Sequence, residues 1–310
     1  MRFASTPLFG LRLILLGGVM VSTLAYAEAP APTLRGHATQ GGVLFGHFEG
    51  KGELSFERHK LRISPEGDFV LGLGPNHPGR AELHWKSAEG EMRVCRFEVE
   101  ARTYQEEKID GLPEDQVILD AETRRDLRDS RRDLDKLRKR DSERAFFSEG
   151  FRMPVKGRIT GVYGSRRILN GKEVQPHWGL DLAAAVGKPV RAPAPGEVVF
   201  IGEDVPLAGR VVLVDHGHGL TSAFLHLARV GVKEGQVLKA GQTLGRVGQT
   251  GRTTGAHLDW RMNWFDKRVD PELVVAKAGS ELPQVKLNCE REEEAKPKGK
   301  APQGKGTKKP

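Results

Sequence analysis

Cysteine is nearly missing from this sequence. Two in 310 residues exclude a disulfide-dense scaffold and a Cys-rich zinc module. Aromatic residues are sparse, at 6% of the chain against 38 glycines, a balance that suits short β-strands joined by tight turns. Past the first 27 residues no apolar run approaches the roughly 20 residues that span a bilayer. A composition of 38% hydrophobic and 29% charged residues excludes both a multi-span membrane protein and a wholly disordered chain. A folded face of one charge is lacking too. The formal net charge is +8, but Arg2, Arg12 and the six lysines after residue 295, none with an acid in their own segment, account for all of it. The body between is neutral overall, which argues against nucleic acid as a partner.

The sequence divides into five stretches. Residues 1–27 read as a signal peptide, with two early arginines, an apolar run from Leu11 to Leu24, and Ala25-Tyr26-Ala27 as the small-residue cleavage pattern. Cleavage is expected after Ala27, which makes the mature protein periplasmic or secreted. In that compartment Cys95 and Cys289 either pair or remain two thiols. Residues 28–113 read as a small β-rich domain, with glycines between runs such as Phe69-Val70-Leu71 and an alternating strand from Arg93 to Glu100. Its five scattered histidines have no metal-ligand spacing. Residues 114–148 hold no Gly or Pro, are densely charged, and keep Leu127, Leu134 and Leu137 on a narrow stripe. They are expected to form one long charged linker helix, either a spacer or a lid. Residues 150–280 read as a second β-rich domain, with strand candidates Gly196–Ile201, Val211–Val214, Leu220–Leu227, Gln242–Val247 and His257–Met262. Residues 286–310 read as a disordered basic tail. The fold class is therefore mainly β, with antiparallel sheet.

Chemistry concentrates in the second domain. In His177-Trp178-Gly179-Leu180-Asp181 an extended strand would project positions i and i+4 to one face, and His257-Leu258-Asp259 places i and i+2 on one face. His226 stands alone between apolar neighbours. Imidazoles and carboxylates converging on an open position are what a catalytic zinc site requires. His216 and His218, in Asp215-His216-Gly217-His218-Gly219, spell a second His-x-His motif, but the glycines mark it as a hairpin turn, expected at the surface.

These segments follow one another in an ordered pattern. His177-x-x-x-Asp181 is followed by Ala192-Pro193-Ala194-Pro195-Gly196-Glu197-Val198, by Val212 to Gly219, by Ser222 to Leu227, and by Gly248 to Leu258. From Gly157 to Pro271 the chain resembles the lysostaphin/LytM-type zinc metallopeptidases, the M23 family of cell-wall endopeptidases. Residues 28–113 are similar to the β-rich segment that precedes this domain in periplasmic murein endopeptidases. The resemblance implies one Zn2+ held by His177 and Asp181, with His226 and His257 as the catalytic general base and transition-state stabiliser. It implies peptidoglycan peptide stems as substrate. The family's third ligand is the second His of His-x-His, and here Asp259 stands there. A carboxylate is a legitimate zinc ligand, but it is shorter than imidazole and its charge weakens the Lewis acidity of the ion. Two expectations result. One is a zinc endopeptidase. The other is a catalytically impaired relative that activates a cell-wall amidase or recruits envelope proteins. Tyr163, Arg166 and Asn170, just ahead of the first motif, are candidates for substrate contact.

Overall fold

The computed structural model describes residues 31–111 and 114–292. The expected leader, 1–27, and residues 293–310 of the expected tail lie outside the described residues. Antiparallel pairing dominates, in two packed units.

The first unit has two sheets. One pairs Thr33–Gly36, Val43–His47 and Asp68–Gly72, and the other pairs Gly52–Phe56, His59–Leu61, Arg80–Ser87 and Met92–Glu98. Alternation in Arg80–Ser87 is strict, with Ala81, Leu83 and Trp85 buried between exposed or half-buried neighbours. Each sheet also takes a strand from the far end of the chain. Gln284–Val285 pairs with Thr33–Gly36, and Asn288–Arg291 pairs with Met92–Glu98. The expectation of a disordered tail from 286 is thereby corrected over its first residues. Asn288–Arg291 is nearly devoid of apolar side chains, but as an edge strand it is held by its ladder, by an Arg96–Glu290 ion pair and by a disulfide. Cys289 lies opposite Cys95 in the register, and the two form a disulfide across 194 residues of sequence.

The second unit is built on an eight-stranded sheet whose centre runs Gly196–Val205, Gly209–Gly217, Leu220–Leu225, His257–Trp264 and Leu180–Ala183. A three-stranded sheet of Pro189–Arg191, Thr243–Val247 and Leu227–Val230 flanks it. The expected strand from Leu220 to Leu227 is broken at His226, whose φ of 62° interrupts the ladder. Trp260, Met262 and Trp264 project from one face of His257–Trp264 into a core continuous with that of the first unit. A Cβ on Gly72 would fall 2.5 Å from the Trp264 side chain, so the two units meet in close apolar contact.

The single long helix expected over 114–148 is not formed. A four-residue turn, Glu114–Val117, precedes an 18-residue helix, Ala121–Arg138. Asp120 divides them. Its backbone is extended, and its carboxylate accepts from Thr123 N at 2.7 Å, as an N-cap does. Beyond Arg138 tertiary contacts override helix propensity. Arg140 reaches Glu197 and Asp215, and Ser142 O accepts from His218 N at 3.0 Å. This strap lies over the turn at Gly217, where an added Cβ would sit 1.4 Å from Arg144 O. His216 and His218 are therefore buried rather than at the surface as expected. His216 is held between Pro195 O at 2.7 Å and Ser222 Oγ at 2.8 Å.

Two measurements test this architecture. Replacing Cys289 by Ser is expected to lower unfolding free energy by about 2–5 kcal/mol, read by urea unfolding without reductant. Burial pushes the His216 imidazole down to about 4. Above pH 6.5 the ring is neutral folded or unfolded. As pH falls from 6.5 towards 4 only the unfolded chain takes the proton, so stability falls, by on the order of 3 kcal/mol in full. Urea unfolding between pH 7.5 and 4.5 is expected to show this slope, and His216→Gln to flatten its share.

Candidate metal centre and cleft

Two neighbouring strands of the large sheet carry the chemistry. Leu180–Ala183 pairs with His257–Trp264 in a register that sets Asp181 directly opposite Asp259. Residues opposed across a strand pair share a face, so the two carboxylates converge. His177 reaches the same point from the loop ahead of Leu180, not from within a strand. One ligand atom from each of His177, Asp181 and Asp259 lies within 4.8 Å of the others, and all three residues are buried. His177 Nε2 and Asp181 Oδ1 approach to 3.0 Å. Yet neither atom, nor His177 Nδ1, has a hydrogen-bond partner of acceptable geometry. Buried polar atoms without partners are rare. A cation shared by the three side chains would satisfy His177 Nε2 and Asp181 Oδ1, though not Nδ1 on the far side of the ring, and one imidazole with two carboxylates is a donor set that suits zinc with a fourth position open.

Two glycines permit this approach. A Cβ on Gly179 would lie 2.2 Å from Asp259 Oδ1, and one on Gly161 would lie 2.4 Å from Asp181 Oδ2. Each carboxylate is also held by an arginine. Arg167 Nη2 donates to Asp181 Oδ2 at 2.8 Å, while its Nε donates to Glu107 at 3.0 Å. Arg261 Nε lies 3.0 and 2.9 Å from the two oxygens of Asp259, and its Nη2 donates to Oδ2 at 2.6 Å. Burial pushes the Asp259 carboxyl up, but Arg261 and His177 outweigh it and hold the group well below the usual carboxylate range. Burial and the facing Asp259 push Asp181 up, and His177 with Arg167 hold it down.

The two remaining histidines stand beside this cluster. His226 and His257 have ring centroids 4.8 Å apart, and His257 Nε2 is 3.7 Å from Asp181 Oδ1. His226 Nδ1 is 2.8 Å from Thr250 O, and His257 Nδ1 is 2.9 Å from Gly255 O. A carbonyl only accepts, so each Nδ1 carries a proton, and Nε2 is the atom each ring turns away from its carbonyl. Burial lowers the pKa of His226, with Asp259 opposing, so this ring is neutral at pH 7 and able to take a proton.

The candidates ahead of the first motif fare differently. Tyr163 is buried, and its hydroxyl donates to Arg268 O at 2.8 Å. Burial raises its pKa, and the group is a core residue rather than a substrate contact. Arg166 is exposed and pairs with Glu173 and Glu106. Successive residues of a strand face opposite ways, so it is Arg167 that turns to Asp181. Asn170, with φ of 46° beside Gly171 at 77°, forms the tight turn between Arg166–Leu169 and Lys172–Glu173. Its place in the fold is a turn-former's. Sequence reasoning missed Arg261. The signal was its i+2 spacing from Asp259, which puts it on the face that carries His257 and Asp259.

The helix Ala121–Arg138 lies on this same face. Leu137 packs on a small cluster of Val211, Leu213, Ala223 and Leu225. Leu225 is the direct cross-strand partner of Asp259, and Ala223 that of Arg261. Burial and Arg261 depress the pKa of Arg131 from its ordinary value. The helix is thus a neighbour of the centre and not a free spacer.

Residues 175–271 match the model of Peptidase family M23. The peptidoglycan DD-endopeptidase ShyA of Vibrio cholerae is 40% identical over 114 residues, which are 36% of this chain and 26% of ShyA. A lipoprotein NlpD/LppB homolog of Pseudomonas aeruginosa is 34% identical over 122 residues, 39% of this chain and 38% of the homolog. The chain thus matches about a quarter to two fifths of the length of these relatives. A crystal structure of a Pseudomonas aeruginosa protein described as a peptidase M23 superposes with a TM-score of 0.58 at 28% identity, covering 76% of this chain and 94% of that one.

The glycine contacts give a direct test of the centre. Gly179→Ala is expected to push Asp259 aside and weaken zinc binding by about 10-fold or more, read by competition with a chromogenic chelator. Gly187→Ala, at a position where a Cβ meets nothing within 4 Å, is expected to leave zinc binding unchanged.

Proposed function

We propose, from the match of residues 175–271 to Peptidase family M23, that the chain is an exported zinc-dependent endopeptidase that hydrolyses peptide cross-links of peptidoglycan. The observation that carries this reading is the convergence of His177, Asp181 and Asp259, with orphaned buried atoms, beside two imidazoles held at Nδ1 by backbone carbonyls. Export is supported by the leader pattern in residues 1–27 and by the disulfide between Cys95 and Cys289. ShyA, whose name describes a DD-endopeptidase of peptidoglycan, makes peptide stems the substrate class to test.

Zinc bound by the three ligands would polarise a substrate carbonyl and activate a water at neutral pH. The chain's own groups do the remaining work. His226 takes the proton of the attacking water at Nε2, its tautomer fixed by Thr250 O. His226 then returns that proton from Nε2 to the departing amine. His257, held at Nδ1 by Gly255 O and nearer to Asp181, is the group placed to stabilise the developing oxyanion, which it does when Nε2 also carries a proton. Backbone carbonyls hold both rings at Nδ1, so neither has to rotate during the reaction.

LC–MS of muropeptides, after incubating cross-linked sacculi with the zinc-loaded chain from Glu28 onward, tests the proposal. Dimers are expected to become monomers. His226→Ala is expected to lose 10²–10⁴-fold in rate while retaining zinc, and His177→Ala to lose the zinc itself. Intact dimers in the presence of bound zinc would overturn the endopeptidase reading and favour the amidase-activating one, for which the helix against the site's face offers a contact surface.

A further inference from the structure

The third ligand position of this centre holds a carboxylate, and the same face holds the means to accommodate it. Asp259, Arg261 and Asn263 alternate along one strand face, and Arg261 reaches back two residues to its neighbour. Its guanidinium donates to both oxygens of Asp259, from Nε to Oδ1 at 3.0 Å and to Oδ2 at 2.9 Å, and from Nη2 to Oδ2 at 2.6 Å. Oδ1 is the oxygen that would collide with a Cβ at Gly179, so it faces the loop bearing His177. Two of the three bonds fall on Oδ2, and the third, from an Nε shared between the oxygens, leaves Oδ1 the less engaged of the two. The residue is 2% exposed, and the guanidinium fixes the plane of its carboxylate.

Charge completes the argument. Asp181 and Asp259 face each other, and without countercharge two close carboxylates resist being ionised together. Arg167 accompanies the first and Arg261 the second. The pair Asp259–Arg261 carries no net charge, as a neutral imidazole carries none. A bidentate guanidinium also fixes direction, which a lysine ammonium does not.

We infer that Arg261 is a positioning residue that adapts an aspartate to this ligand position: it fixes the carboxylate plane through both oxygens, engages Oδ2 twice so that Oδ1 keeps the greater freedom to face the ion, and cancels the added charge. This rests on the zinc reading above but not on the substrate. The motif is then His-x-Asp-x-Arg, and its last residue belongs to the metal centre although it touches no metal.

A double-mutant cycle on the purified full chain, read as zinc affinity by chelator competition, tests this. Arg261→Gln is expected to weaken zinc binding by about 10–100-fold beside Asp259 and by less than about 3-fold in the Asp259→His background, where no clamp is required. Arg261→Lys, which keeps charge and loses the fork, is expected to fall between wild type and Gln, and takes the place of Gln if that variant does not fold. Equal losses in both backgrounds, or zinc bound as tightly or more tightly by Arg261→Gln, would overturn the inference. The muropeptide assay is scored separately. Zinc coupling with intact dimers leaves this inference standing and removes the endopeptidase reading, whereas hydrolysis without coupling does the reverse.

Discussion

Two like charges placed opposite each other across a strand pair set the terms for everything around them. Asp181 and Asp259 are fixed at that separation by the ladder itself. Unaccompanied, they would be costly to bury. The centre therefore has arginines behind them, glycines beneath them and an imidazole beside them, and the placement suits a cation between the two carboxylates. His177 closes one side from a loop, Arg167 comes from a strand that pairs in parallel with Glu106–Ile109, and Arg261 comes from the ligand strand itself. Four separated stretches of sequence are thereby bound to one point.

The opposite face of the same strand does the mechanical work. Leu258, Trp260, Met262 and Trp264 are fully buried and tie the sheet to the first unit. Alternation thus divides one eight-residue strand into a face that carries the candidate centre and a structural face. The first unit holds the sheet from behind. The helix Ala121–Arg138 sits in front, with Leu137 packed on Val211, Leu213, Ala223 and Leu225.

Much of this was legible in the sequence, for identifiable reasons. Glycine turns punctuate the second unit so regularly that its central strands fall close to where they were expected, and the ligand motifs announce themselves by residue type. Other features were hidden. Asn288–Arg291 is too polar to read as a strand, because its stability comes from a partner some two hundred residues away. Absence of Gly and Pro suggested one helix where Asp120 as a cap makes two. His218 lies in the turn that was expected and His216 near the end of the strand before it, but both are buried by contacts distant in sequence, His218 by the strap and His216 by Pro195 and Phe151. Arg261 was invisible as a site residue because a charged side chain in a strand ordinarily faces water. Arg167 stood among the residues ahead of the first motif, but as a loop residue near a substrate, and only the structure sets both arginines on carboxylates of the centre.

The clasp between the two ends of the chain also governs the order of events in its birth. Gln284–Val285 and Asn288–Arg291 each occupy the border of a different sheet in the first unit. A polypeptide made from its N-terminus onward completes every other strand of that unit some two hundred residues before these arrive. In the interval both sheets present open, unpaired borders of the kind that recruit other chains. A product truncated before residue 284 never closes either one and never gains its crosslink. Closure of the first unit thus waits on residues 284–291, whose arrival covers both borders and brings Cys289 to Cys95.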